Sequence, residues 1–139
     1  MKKKAILTVE ENKPMRYLLT TVLAEYNVTS APSCNDALRQ LNTEIEHDLI
    51  ILDIPDAQSD NFKLLEHLST SSYMKNIPTV ILSNSADEAF MNDATKLGAA
   101  FFKKPFDPVI LADKVRELTH DDTRQLLPKR RRFVNLNIF

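Results

Sequence analysis

The chain has 139 residues, 43% hydrophobic and 27% charged, a size and composition that bury one core and exclude a disordered or membrane-embedded chain. Eighteen Lys and Arg against nineteen Asp and Glu leave a net charge of −1, so nucleic acid is not the expected partner. A single glycine, Gly98, excludes G-x-G-x-x-G and G-x-x-x-x-G-K phosphate loops and the G-x-S-x-G elbow. A single cysteine, Cys34, excludes an intrachain disulfide, and three scattered His residues offer no zinc spacing. After Lys2-Lys3-Lys4 the apolar run is too short for a signal or membrane segment, so a cytoplasmic chain is expected.

Short β-branched runs alternate with helical patterns from the N-terminus onward. Ala5–Val9 reads as a strand, and Met15, Leu18, Leu19, Val22 and Leu23 follow the i, i+3, i+4, i+7 rule behind Pro14. Tyr26–Ser30 is a weaker strand, and Ser33 with Asp36 caps a helix carrying Ala37, Leu38 and Leu41. Leu49–Leu52 is a continuous apolar strand, followed by a helical stripe of Phe62, Leu65 and Leu68. Thr79–Leu82 is the fourth strand and Ala89/Phe90 to Leu97 the fourth helix. Ala99–Phe102 and the stripe from Val109, Ile110 and Leu111 to Leu118 complete five βα units. The pattern predicts an α/β fold with a five-stranded parallel sheet, doubly wound by helices on both faces. His47 and His67 read as surface residues, Cys34 as a semi-buried inert thiol, and Phe101-Phe102 as core strand.

Ligands of such sheets bind outside the carboxyl ends of the strands. Glu10-Glu11 end the first strand, Asp53 the third and Ser83 the fourth, and Lys104-Pro105 follow the fifth. Clustered carboxylates suit Mg²⁺, and a carboxylate beside such a metal is a nucleophile toward phosphorus. A metal, a Lys and a hydroxyl neutralise a transferring phosphoryl group. Each residue also has a bland reading: Asp53 as a turn former, Glu10-Glu11 as helix-dipole partners, Lys104-Pro105 as a surface turn.

Val9-Glu10-Glu11-Asn12-Lys13-Pro14-Met15-Arg16, Asp48–Asp53, Ile77–Ser83 and Gly98-Ala99 through Lys104-Pro105-Phe106 resemble the response-regulator receiver domains of two-component signalling, the CheY-like superfamily, over about residues 3–120. The resemblance implies a flavodoxin-like (βα)5 domain over 1–120 with strand order 2-1-3-4-5, the order given for that fold. It implies Asp53 as phosphoacceptor, with Mg²⁺ or Mn²⁺ held by Glu10, Glu11, Asp53 and the Pro55 carbonyl. Ser83 matches the switch hydroxyl, Lys104 the phosphoryl-binding lysine and Phe101 the switch aromatic. The implied partners are a sensor histidine kinase or histidine phosphotransfer protein and a downstream protein meeting the fourth-helix, fifth-strand, fifth-helix face, with a homodimer as a further arrangement. The implied chemistry is self-catalysed phosphorylation and dephosphorylation, not turnover of a substrate.

The chain departs from the family at several positions. Both acidic positions carry Glu, and Pro55 keeps a carbonyl but has no N–H to offer. Asn84 follows the switch hydroxyl where a small residue is usual, and Asn61 stands where Gly is common, a mild exchange if that backbone is left-handed. The stretch from Gly98 to Lys104 is one residue short, which predicts a re-registered fifth strand. These departures keep open a degenerate receiver that acts as a phosphorylation-independent interaction module; a flavin-binding or hydrolytic α/β protein lacks its motifs. Residues 121–139 form a basic tail, with five Lys and Arg, among them Lys129–Arg132, against two Asp. The alternation Val134–Ile138 predicts an edge strand, with a disordered tail as the alternative. Nineteen residues are too few for a further domain, so a stand-alone receiver or a piece of a longer protein is expected.

Overall fold

In the computed structural model, which describes residues 3–120, strands and helices alternate without exception. They are β1 (Ala5–Val9), α1 (Lys13–Val22), β2 (Asn27–Ala31), α2 (Cys34–Leu41), β3 (Leu49–Asp53), α3 (Asp60–Thr70), β4 (Thr79–Ser83), α4 (Glu88–Leu97), β5 (Ala100–Lys103) and α5 (Pro108–Thr119). The strands form one parallel sheet in the order β2-β1-β3-β4-β5, as the sequence pattern and the resemblance implied. The basic tail and its expected edge strand lie outside the described residues. No described helix is long and apolar enough to cross a membrane.

Alternation along each strand divides the core between the two faces of the sheet. Ile50 and Leu52 of β3 pack with Ala37, Phe62, Leu65 and Phe90 on the face covered by α2, α3 and α4. Leu49 and Ile51 pack with Leu19, Leu23, Leu111 and Val115 on the face covered by α1 and α5. Each helix opens on a polar cap: Asn12, Ser33, Ser59, Asp87 and Asp107 each accept a backbone N–H of the first turn. Gly98 has extended backbone, so its place is set by room. A Cβ there would sit 2.5 Å from Ile81 Cδ1 and 3.1 Å from the Thr79 carbonyl oxygen, where the chain turns from α4 toward β5.

Several readings are corrected. β2 and β5 each begin one residue later than the periodicity suggested, because Tyr26 closes a turn onto Leu23 and Ala99 donates to the Thr79 carbonyl before the strand begins. Leu38, Val109 and Ile110 are exposed; α2 buries Ala37, with Cys34 and Leu41 half-buried beside it, and α5 buries Leu111 and Val115 instead. His47 is not a surface residue: it is buried in the turn before β3, and neither ring nitrogen makes a hydrogen bond of normal geometry. Burial holds its imidazole below the usual histidine range, with the Asp48 carboxylate and the Gln40 backbone restoring only part of the loss. The acidic neighbours Glu46 and Asp48 conceal this in the sequence. Despite the short connection from Gly98, β5 pairs with β4 in unbroken register from Val80–Ala100 to Ser83–Lys103.

Candidate functional site

Four strands deliver polar residues to one edge of the sheet. Glu10 follows the last residue of β1, and its backbone N–H still donates to the Ala31 carbonyl at 3.0 Å, which fixes the start of the loop. Its side chain is buried; Oε2 accepts the Asn12 N–H at 3.2 Å and Oε1 accepts from Lys104 Nζ at 2.8 Å. The same ammonium lies 2.8 Å from Asp53 Oδ1, at the end of β3. One lysine thus joins two carboxylates that are 43 positions apart in the chain and come from different strands. Burial pulls the Lys104 ammonium down, but hydrogen bonds and charge from Asp53 and Glu10 outweigh it and leave the group above the ordinary lysine range.

Lys104 is placed by the exit of β5, where its N–H donates to the Ser83 carbonyl at 2.8 Å and a cis peptide leads into Pro105. Ser83 is fully buried at the end of β4, and its Oγ accepts the Ser85 N–H at 3.1 Å. Phe101 is paired with Ile81, and its ring meets that of Phe90 edge-on at 6.3 Å. Pro55 is exposed in the loop between β3 and α3, and Asn84 is also exposed. Cys34 is half-buried, its thiol pushed up by burial and by the charge of Asp60.

Glu11 is exposed, and among the described residues no group of three or more His, Cys, Asp or Glu is placed to hold a metal. Glu10 and Asp53 remain as a pair of hard oxygen donors, and the neighbour they share is the Lys104 ammonium. Mg²⁺ commonly takes one or two carboxylates and completes its shell with waters and phosphate oxygens, so this pair fits such an ion.

Two contacts escaped the sequence reading. Arg16, one turn into α1, donates to the Glu10 carbonyl at 3.0 Å and the Glu11 carbonyl at 2.7 Å, tying the acidic loop to the helix. Asn61 lies in the first turn of α3 and donates its side-chain N–H to the Asp53 carbonyl at 2.6 Å. Its backbone is helical, and no described residue has a positive φ, so Asn61 is not a stand-in for a left-handed glycine. An Arg behind an acidic loop was a usable signal; the reach of Asn61 across eight residues was not.

The sheet order and the polar carboxyl edge define a doubly wound α/β domain of the flavodoxin-like type. The family pattern described as the response regulator receiver domain matches residues 6–116, and the chain belongs to that family. It is 32% identical over 118 residues to the transcriptional regulatory protein GltR of Pseudomonas aeruginosa, covering 83% of this chain and 48% of that one. It is 30% identical over 114 residues to the phosphate regulon transcriptional regulatory protein PhoB of Escherichia coli, covering 80% and 49%. The chain therefore spans about half the length of these relatives. The signal receiver domain of a signal transduction histidine kinase from Syntrophus aciditrophicus superposes with a TM-score of 0.74 at 26% identity, covering 84% of this chain and 89% of that one. Residues 6–116 are thus a receiver domain of two-component signalling.

Proposed function

We propose that Asp53 accepts a phosphoryl group from a phosphohistidine on a sensor kinase or phosphotransfer protein. The observation that carries this reading is the Lys104 ammonium held 2.8 Å from both Glu10 and Asp53 at the carboxyl edge of the sheet. An Asp53 oxygen attacks phosphorus while the P–N bond of the donor breaks. The phosphoryl group becomes an acyl phosphate on Asp53, and the donor imidazole leaves and takes up a proton from solvent. Lys104 supplies a fixed positive charge to the phosphoryl oxygens, and Ser83 supplies a hydroxyl donor. Mg²⁺ or Mn²⁺ would be held by Glu10 and Asp53, with Glu11 and the Pro55 carbonyl as the further ligands that the family pattern implies, and would supply further neutralisation of phosphoryl charge. Pro55 has no N–H for a phosphoryl oxygen, so Lys104 and Ser83 carry more of that task here.

Movement of Ser83 toward the acyl phosphate would draw Phe101 inward and change the face formed by α4, β5 and α5. Val109, Ile110 and Leu97 leave apolar surface exposed there for a downstream protein or a second copy of the chain. Phosphorylation shifts that face only by the difference in contacts between the two states.

A second reading, a degenerate receiver that binds partners without phosphorylation, draws support from exposed Glu11 and from the Lys104 bridge that already neutralises Glu10 and Asp53. Intact-protein mass after incubation with a small phosphodonor, with and without Mg²⁺, separates the two. A Mg²⁺-dependent gain of one phosphoryl group, absent in Asp53→Asn, is the expected result. A folded protein that gains nothing from either the small donor or a phosphorylated kinase supports the second reading.

A further inference from the structure

The backbone of Asp53 is held by a contact that the strand ladder does not provide. Ile50 donates its N–H to the carbonyl of Pro78, just before β4, at 3.0 Å, and Ile54 donates to that of Leu82 within β4 at 2.9 Å. Because successive residues of a strand direct their polar groups to opposite sides, the carbonyl of Asp53 faces β1. Pairing with β1 has ended by then, its last register pair being Val9–Leu52. The Asn61 side chain fills the gap, 2.6 Å from the Asp53 oxygen. The peptide plane between Asp53 and Ile54 is therefore held at both polar ends, by Asn61 at its carbonyl and by Leu82 at its N–H. Ile54 is fully buried, which leaves that plane little room to rock.

We infer that Asn61 is a positioning residue for the phosphoacceptor, holding the Asp53 main chain so that its carboxylate stays aimed at Lys104. This rests on the proposed reading of Asp53. The reason is geometric: phosphoryl transfer asks the acceptor oxygen to lie in line with the breaking bond, and a small misplacement is costly in rate. The same contact closes the loop that carries Pro55 onto the first turn of α3, between Asp53 and Asn61. Ser59 caps α3 independently through the Phe62 N–H, so the helix keeps its start without Asn61.

The test compares the full chain with Asn61→Ala and Asn61→Gln. Phosphorylation of Asp53 by a small phosphodonor with Mg²⁺ is expected to slow roughly three- to tenfold at saturating donor in Asn61→Ala, with half-saturation unchanged. Asn61→Gln keeps an amide donor and is expected to recover part of the rate, while the urea midpoints of all three stay close. Nuclear magnetic resonance supplies a readout that needs no phosphorylation. The Asn61 side-chain amide protons are expected to exchange more slowly than those of exposed Asn92, and the Asp53 carbonyl carbon is expected to shift in Asn61→Ala. A phosphorylated wild type matched by an equally fast Asn61→Ala overturns the inference, as does an Asn61 amide that exchanges like Asn92. A wild type that never gains a phosphoryl group overturns the proposed function instead, and the resonance data then decide whether the clamp exists.

Discussion

Replacing Lys104 with methionine keeps most of the side-chain length and removes the cation that Glu10 and Asp53 share. The side chains are 3% exposed for Glu10, 16% for Asp53 and 19% for Lys104, so solvent makes up little of the lost charge at Glu10 and more at the other two. Removing one member of a fully buried pair costs about 3–5 kcal/mol, and an exposed pair contributes about 0–1 kcal/mol. This site lies between, and the expected loss is about 2 kcal/mol at neutral pH. In the wild type the folded lysine is raised, so its contribution is whole below the unfolded value of 10.5 and is lost as pH rises through the higher folded value. In Lys104→Met the two carboxylates face each other with no cation between them and repel. Acid removes that repulsion, so the deficit against wild type should shrink on acidification. Urea unfolding at several pH values between about 4.5 and 7.5 reads this directly, and Glu10→Gln in the same background should restore most of the loss. A Lys104→Met protein as stable as wild type at neutral pH, or one whose deficit grows on acidification, would refute the shared-cation geometry.

Gly98→Ala places a methyl group 2.5 Å from Ile81 Cδ1 and 3.1 Å from the Thr79 oxygen, and should cost about 1–3 kcal/mol in urea unfolding. Ile81→Val removes that Cδ1, so the double variant should lose less than the two single losses combined; a wild-type midpoint for Gly98→Ala would count against the close approach. The folded His47 titrates below its unfolded value of 6.5, so the unfolded chain takes up the proton first. Wild-type stability should therefore fall as pH drops below about 6.5 toward the lower folded value. His47→Leu should flatten that fall, and an identical slope in the two proteins would show that His47 is not the group responsible.

The order of strands and helices was readable because each element carries its own signal. β3 and β4 are buried on both faces and so are continuously apolar, while α1 and α3 show a 3.6-residue stripe. Where a helix buries a narrow face, the stripe overstates the core. Thus α5 turns Leu111 and Val115 inward and leaves Val109 and Ile110 in solvent. The end-of-strand placement of Glu10, Asp53 and Ser83 was equally legible, since a polar residue directly after an apolar strand marks the edge of the sheet.

The partnerships at that edge were not legible, because they join residues far apart in the chain. Lys104 reaches Glu10 across 94 positions, and only the parallel order of β1, β3, β4 and β5 brings their ends together. His47 is buried although its neighbours in sequence are acidic, because burial is a property of the folded chain and not of the flanking residues. Asn61 looked like a replacement for a flexible glycine; its role depends on where the Asp53 carbonyl points once β1 pairing has ended. The sequence by itself determined the alternation of elements and which side chains bring chemistry to the strand ends, since both follow from local periodicity. Only the tertiary structure decided which of those side chains share a charge and which backbone groups need a side-chain partner, since both depend on distances that the sheet creates.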